Sequence, residues 1–189
     1  MNPQELLNIL GRAARLKTNT RHCWTDPDRK ESVADHSWRI SLMAMLLTGI
    51  EEYRDIDMNK VIRMCLIHDL GEAFTGDIPT FIKTEEDAAA EDALYDHWVD
   101  SFPSPQREEW QALLLEMGEQ NTREARLYKA LDKIEALISH NESDLSTWLP
   151  LEYDLQLTYG KENFQFSEFL KSLSAAVDAW TLRKIHGEE

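Results

Sequence analysis

The segment that decides the fold reads DMNKVIRMCLIHDLGEAFTGDIPT and occupies residues 57–80. Its apolar residues recur at the spacing of an amphipathic helix, which Asp57 can cap and which we expect to end before the turn at residues 76–79. His68 and Asp69 stand inside this helix, directly after an apolar run. Because an unpaired buried carboxylate is costly, an acid in this position needs a cation or a hydrogen-bond donor beside it.

The same helical spacing recurs along the whole chain of 189 residues, which contains 7 glycines and 6 prolines. Alternation of apolar and polar residues, the mark of half-buried strands, is nearly absent. We therefore predict a single all-α domain of about seven to eight helices. The expected helices cover residues 3–16, 32–50, 58–74, 85–99, 105–117, 123–140 and 168–185, with a less regular helical stretch near 146–159 and a polar loop at 18–32.

Charge and composition exclude several classes of protein. The formal net charge of −15 argues against a basic binder of nucleic acid or of anionic membranes. The apolar runs are far shorter than the roughly 20 residues needed to span a bilayer, and the first residues do not have the pattern of a signal peptide. Cys23 and Cys65 stand alone without C-x-x-C spacing, so we expect reduced thiols in a cytoplasmic protein and neither a disulfide nor a thiolate zinc site.

Four polar side chains lie at positions where a buried helix face would favour an apolar residue. They are His36, His68, Asp69 and Asp132. Each has an ordinary interpretation by itself, as a buried core histidine, a residue at a helix end or a solvated acid. Together they form the ordered pattern H…HD…D, with 32 residues from His36 to His68 and 63 from Asp69 to Asp132. Two imidazoles and two carboxylates suit one divalent metal ion, which could be Mn, Co, Fe, Ni, Zn or Mg.

This pattern resembles the one that defines the HD-domain metal-dependent phosphohydrolases. Three segments are similar to the 5′-deoxynucleotidase branch of that superfamily: ESVADHS at 31–37, IHDLGEAFTGDIPT at 67–80 and KALDK at 129–133. The resemblance covers approximately residues 5–140. It implies one compact HD-domain helical bundle over residues 1–189, with C-terminal helices at about 145–186 packing on the part that bears the motifs.

The resemblance implies that His36, His68, Asp69 and Asp132 bind the metal. It assigns catalysis to Glu72, which we expect one helical turn after His68, together with Asp77. A glutamate at this place would handle the proton of water or of the leaving oxygen. An exposed helix glutamate and an ordinary turn aspartate are the alternative interpretations of these two residues.

Further residues are expected to bind the substrate. The resemblance points to the loop that contains Asp77, Ile78, Pro79 and Thr80, and counting back from His36 adds two more positions, Arg21 and His22. The planar guanidinium of arginine suits a phosphate. His22 replaces a tryptophan that is thought to discriminate the sugar in the family, and Trp24 is an alternative source of that aromatic surface.

The sequence thus predicts a divalent-metal-dependent phosphomonoester hydrolase, which resembles enzymes acting on nucleoside 5′-monophosphates, 5′-deoxynucleotides above all. The expected partner is a small-molecule nucleotide, without polynucleotide or membrane, and the family implies a homodimer. One alternative is an HD hydrolase of another phosphorylated small molecule. The other is a non-catalytic, metal-binding all-α interaction module, although a degenerate relative would be expected to lack one of the ligands or Glu72.

Overall fold

A computed structural model describes residues 1–188 of the chain. Within them, one hairpin and nine α-helices account for the regular structure, together with four short 3₁₀ turns. The prediction of an all-α domain is confirmed. The elements are α1 Pro3–Ala13, β1 Thr20–Asp26, β2 Arg29–Ser32, α2 Val33–Leu46, α3 Met58–Ile67, α4 Glu72–Thr75, α5 Glu85–Asp100, α6 Gln106–Glu119, α7 Arg123–Glu142, α8 Glu152–Thr158 and α9 Glu168–His186.

Six of the nine described helices begin where a short polar side chain can satisfy the first free backbone N–H groups. In these helices the capping side chain, among them the expected cap Asp57, accepts a hydrogen bond from the backbone nitrogen three residues later. These caps are Asn2, Ser32, Asp57, Thr84, Thr122 and Ser167. Local sequence therefore determines where these six helices start.

The segment 18–32 differs from the predicted polar loop, because it forms an antiparallel β-hairpin. Its strands pair with Thr20 opposite Ser32, and the hairpin is tied to the C-terminal end of α7. The backbone nitrogen of Trp24 donates to Ser143 Oγ at 2.9 Å, and Ser143 Oγ donates to the carbonyl oxygen of Trp24 at 3.0 Å. This tertiary support explains a strand that the polar sequence did not indicate.

The expected helix at 58–74 is divided in two. Between α3 and α4 the backbone bonds tighten to the 3₁₀ spacing, with Leu70 N donating to Ile67 O at 3.2 Å and Glu72 N to Asp69 O at 3.0 Å. A 3₁₀ turn has about 3.0 residues per turn rather than 3.6, so it rotates side chains away from the α-helical positions. The turn at residues 68–71 is where the HD dipeptide lies.

The core is built around α2, α3 and α7, whose inner faces contribute fully buried side chains such as Ile40, Val61 and Leu131. The helix α9 packs against α7, since Asn141 Nδ2 donates to Thr181 Oγ1 at 2.9 Å inside the protein. Among residues 1–188, none of the helices combines the length and the apolar character needed to cross a bilayer.

Candidate metal centre and adjoining cavity

Four side chains from different parts of the sequence converge beside the core. His36 comes from α2, His68 and Asp69 from the turn between α3 and α4, and Asp132 from α7. His36 Nε2 lies 3.3 Å from Asp132 Oδ1 and 3.8 Å from Asp69 Oδ2. His68 Nε2 lies 3.0 Å from Asp69 Oδ2 and 3.7 Å from Asp132 Oδ1. The structure therefore brings together all four residues of the sequence pattern.

The two imidazole rings are oriented as metal ligands. His68 Nδ1 donates to the carbonyl oxygen of Cys65 at 2.9 Å, and His36 Nδ1 donates to the carboxylate of Glu135. Both Nε2 atoms are buried and make no hydrogen bond within the described part of the chain. A histidine that donates through one nitrogen and leaves the other free toward carboxylates has the arrangement usual for metal binding. These residues fit a divalent cation.

The pKa shifts of these side chains also indicate a place that favours a cation. Burial opposes ionisation of Asp69, but His68 and His36 outweigh it and hold the pKa of that carboxyl well below its usual range. Burial also disfavours the charged form of His68, yet Asp69 and Asp132 raise its pKa to about 10. The pKa of His36 is raised as well, with Glu135 and Asp132 opposing the effects of burial and Arg21. The carboxylates around the two rings thus favour positive charge at this place, which a divalent cation can supply.

Two supporting residues were not identified from the sequence. Glu135 is fully buried one helical turn after Asp132, and its carboxylate orients His36. Lys129 Nζ donates to Asp132 Oδ2 at 2.8 Å, which fixes the second oxygen of that carboxylate. The sequence signal that could have identified Glu135 was the presence of a glutamate on the apolar stripe of α7, directly after Ile134.

Arg21 projects from β1 toward the metal centre. Its Nη1 lies 3.7 Å from Asp69 Oδ2, and its Nε lies 3.1 Å from Glu31 Oε2. Burial alone would lower the pKa of Arg21, but the carboxylates of Asp69, Glu135 and Glu31 raise it above its usual value. The guanidinium is therefore a permanent positive charge beside the predicted metal ligands.

Glu72 and Asp77 lie close enough to Asp69 for its charge to act on both. The Glu72 side chain is buried at the start of α4, and its Oε2 makes no hydrogen bond to the described residues. Burial, and next the charges of Asp69 and Asp77, raise the pKa of Glu72 to about 9. Burial also raises the pKa of Asp77, against the opposing charge of Arg21. Glu72 therefore favours its protonated form more strongly than an exposed glutamate does.

A cavity of about 290 Å³ adjoins the centre. Five of the six residues expected to bind substrate line it: Arg21, His22, Asp77, Pro79 and Thr80. Ile78 is half-buried and does not form part of the lining. Trp24 lies at a separate cavity, next to Asp26 and Lys184, so it does not supply the aromatic surface here.

The remaining wall comes from residues that the sequence did not indicate. Phe81 follows the loop of Asp77, while Glu152, Gln156 and Tyr159 lie on α8 or directly after it. Two hydroxyl groups meet at the edge of the cavity, where Thr80 Oγ1 is 3.4 Å from Tyr159 Oη. The C-terminal part of the chain thus completes a cavity that begins at the metal centre.

Comparison with known proteins gives consistent matches over most of the chain. The HD domain family profile matches residues 13–174. The chain is 32% identical over 139 residues to the 5′-deoxynucleotidase HDDC2 of Xenopus laevis, covering 71% of this chain and 67% of that protein. It is 31% identical over 145 residues to the human HDDC2, covering 74% and 68%. It is also 30% identical over 169 residues to the 5′-deoxynucleotidase hdd1 of Schizosaccharomyces pombe, covering 78% and 83%.

Solved structures share the fold. A predicted metal-dependent phosphohydrolase of Magnetospirillum magnetotacticum superimposes with a TM-score of 0.79 at 27% identity, over 96% of this chain and 93% of that one. An HD-domain phosphohydrolase of Listeria innocua superimposes with a TM-score of 0.67, over 97% and 88%, and at 18% identity it supports the fold alone. The family match, the curated relatives and the convergence of the H…HD…D residues agree, and the chain belongs to the HD-domain family.

Proposed function

We propose that this protein is a divalent-metal-dependent phosphohydrolase that converts nucleoside 5′-monophosphates, preferentially 5′-deoxynucleotides, to nucleoside and phosphate. The observation that carries this proposal is the convergence of His36, His68, Asp69 and Asp132 beside a cavity that Arg21 and His22 line. The names of the curated relatives support the choice of substrate.

The four converging residues would hold the metal ion. When bound, a divalent ion at this place polarises a phosphoryl oxygen and makes a bound water more acidic. Arg21 offers N–H donors next to the same centre, and its positive charge suits a phosphate dianion. Glu31 contacts Arg21 Nε at 3.1 Å, which leaves the outer guanidinium nitrogens toward Asp69 and the cavity.

Hydrolysis forms a bond between a water oxygen and phosphorus and breaks the bond from phosphorus to the 5′ oxygen. The leaving 5′ oxygen must then gain a proton, and the attacking water must lose one. Glu72 is the buried acid beside the centre, and its pKa, raised to about 9, favours the protonated form. We assign proton transfer to Glu72, with Asp77 next to it on the loop.

The cavity would receive the nucleoside. Its volume of about 290 Å³ lies at the lower end of the usual range for small-molecule sites, about 300–1,000 Å³. The rings of His22 and Phe81 stand perpendicular to each other with centroids 5.9 Å apart, which gives an aromatic surface within the cavity. A cavity of this size suits a single nucleotide and not a polynucleotide.

The proposal extends to a homodimer in the cytoplasm. One face of α2 exposes four large apolar side chains, which is typical of a protein interface. They are Trp38, Leu42, Met45 and Leu46. Two free, buried cysteines support a reducing compartment. Light scattering on the purified protein is expected to give twice the mass of the chain, and Trp38→Glu is expected to give a monomer.

Phosphate release from a panel of ribo- and deoxyribonucleoside 5′-monophosphates tests the function. The assay compares Mn²⁺, Co²⁺, Mg²⁺ and a chelator, with Asp69→Ala as the inactive variant and the exposed Asp92→Ala as its matched control. We expect metal-dependent release that favours the deoxynucleotides and is lost in Asp69→Ala. Release from none of the nucleotides with any metal, or full activity in Asp69→Ala, would contradict the proposal.

A further inference from the structure

A second group of ligand atoms lies in the cavity wall, apart from the four residues of the metal centre. His22 of β1, His140 of α7 and Glu152 of α8 each present one ligand atom, and these atoms all lie within 4.8 Å of one another. His22 Nε2 is 3.1 Å from Glu152 Oε1, and His140 Nε2 is 3.3 Å from Glu152 Oε2. Neighbouring ligand atoms on a tetrahedral zinc ion stand about 3.3–3.5 Å apart, as bonds of about 2.0–2.2 Å require. The contacts with Glu152 are close to this spacing.

The charge of Glu152 is not balanced by a basic side chain. Its side chain is 7% exposed, and within residues 1–188 its ion-pair contacts are with His22 and His140, without lysine or arginine. A buried carboxylate without a lysine or arginine partner is a favourable place for a cation.

Two of the three side chains, Glu152 and His140, are held in place by their surroundings. The backbone nitrogen of Leu149 donates to Glu152 Oε2 at 2.6 Å. The His140 ring packs on Trp148 with centroids 4.2 Å apart, and Trp148 Nε1 donates to the carbonyl oxygen of His140 at 3.1 Å. Such supporting contacts orient metal ligands before the ion arrives.

We propose that His22, His140 and Glu152 form a second divalent-metal site, separate from the centre at His36 and suited to Zn²⁺. Two imidazoles and one carboxylate are a common zinc set, whereas Mg²⁺ favours oxygen ligands throughout. Three protein ligands leave a fourth position for water or another ligand in the cavity. The residues belong to three different elements, and Glu152 lies beyond the part of the chain that bears the family motifs.

The test is the number of zinc ions that the full chain binds after treatment with a chelator, measured by calorimetric titration. We expect two equivalents for the unchanged protein and for His97→Ala, an exposed histidine that serves as control. We expect Glu152→Gln, which keeps the size of the side chain, to lose the second equivalent or to bind it at least tenfold more weakly. One equivalent in the unchanged protein, or two with unchanged affinity in Glu152→Gln, would overturn the proposal.

A second variant keeps the result clear if Glu152→Gln folds poorly. Asp69→Ala/Asp132→Ala removes two ligands of the first centre, and we expect one zinc equivalent to remain. A folded double variant that binds no zinc would overturn the second site. Because zinc is counted without turnover, two equivalents in a protein that releases no phosphate would contradict the proposed function and support this site. An active protein that binds one zinc equivalent would support the proposed function and contradict the second site.

Discussion

Glu135 and His36, which are 99 positions apart in the sequence, share a hydrogen bond in the core, and both side chains are fully buried. The carboxylate of Glu135 holds the His36 ring so that Nε2 faces the predicted metal ligands. The replacement Glu135→Gln removes the negative charge and keeps the size of the side chain. We expect the metal affinity to fall about 10- to 100-fold, the usual effect of losing such a supporting carboxylate.

Metal titration of Glu135→Gln measures this effect. The matched control is Glu142→Gln on the same helix, because Glu142 pairs with Arg39 at the surface. Equal affinity in Glu135→Gln and the unchanged protein would contradict the role of Glu135.

Glu72→Gln is expected to bind the metal with unchanged stoichiometry and to reduce kcat by about 10²–10⁴, because an amide cannot supply the proton. Metal content and phosphate release, measured on the same sample, separate the two effects. Glu86→Gln, an exposed position on α5, serves as the control. Loss of metal together with activity would instead make Glu72 a ligand.

His22→Trp is expected to increase discrimination against ribonucleotides, because His22 faces the cavity and a larger ring leaves less room for a 2′-hydroxyl. The measurement is the ratio of kcat/KM for each deoxynucleotide and its ribonucleotide. Trp24→Phe changes a ring at another cavity and should leave the ratio as it was. An unchanged ratio in His22→Trp would remove this position from sugar selection.

Zinc added beyond the first equivalent is expected to inhibit phosphate release by competing with the nucleotide, because the second site lies in the wall of the same cavity. Glu152→Gln should raise the inhibition constant for zinc at least tenfold. Inhibition that nucleotide does not relieve would contradict the shared location.

Glu52 stabilises the start of α9 from a distant part of the sequence, since its carboxylate accepts hydrogen bonds from Glu168 N at 2.9 Å and Phe169 N at 3.1 Å. Although slight burial opposes ionisation, these contacts, together with Ser167 and Arg123, lower the pKa of Glu52. A carboxylate with a lowered pKa stabilises the fold above its ordinary pKa, and the contribution is lost as the pH falls through the value in the folded protein.

We expect Glu52→Gln to reduce the free energy of unfolding by about 1 kcal/mol at pH 7, the usual scale for a helix cap. Below the lowered pKa of Glu52 the difference should disappear. Urea unfolding at several pH values provides the measurement, with Glu51→Gln as control because Glu51 is 82% exposed. A difference that persists at the lowest pH would contradict this explanation.

Much of the fold follows from local sequence, since helical spacing and caps such as Thr84 and Ser167 are encoded within a few residues. The hairpin was missed because its strands are supported by Ser143, far along the chain. The division of the helix at 58–74 was missed because its local signal, Gly71 in the 3₁₀ turn at 68–71, is also tolerated inside continuous helices.

The four residues of the metal centre were recognisable because the family motif keeps their order. The supporting residues and the cavity residues were not recognisable from the sequence, because contacts across the fold define them. Glu135 meets His36 only once α2 and α7 pack together, and Glu152 meets His22 only once α8 closes the cavity.

The position of α8 allows substrate selectivity to change independently of the residues that would bind the metal. Every residue of the metal centre precedes position 133, whereas Glu152, Gln156 and Tyr159 form cavity wall from a segment after it. Substitutions in that segment can reshape what enters the cavity while the reaction chemistry stays intact. Exchanging residues 145–160 between HD-domain relatives is therefore a direct way to transfer substrate preference without transferring the motifs.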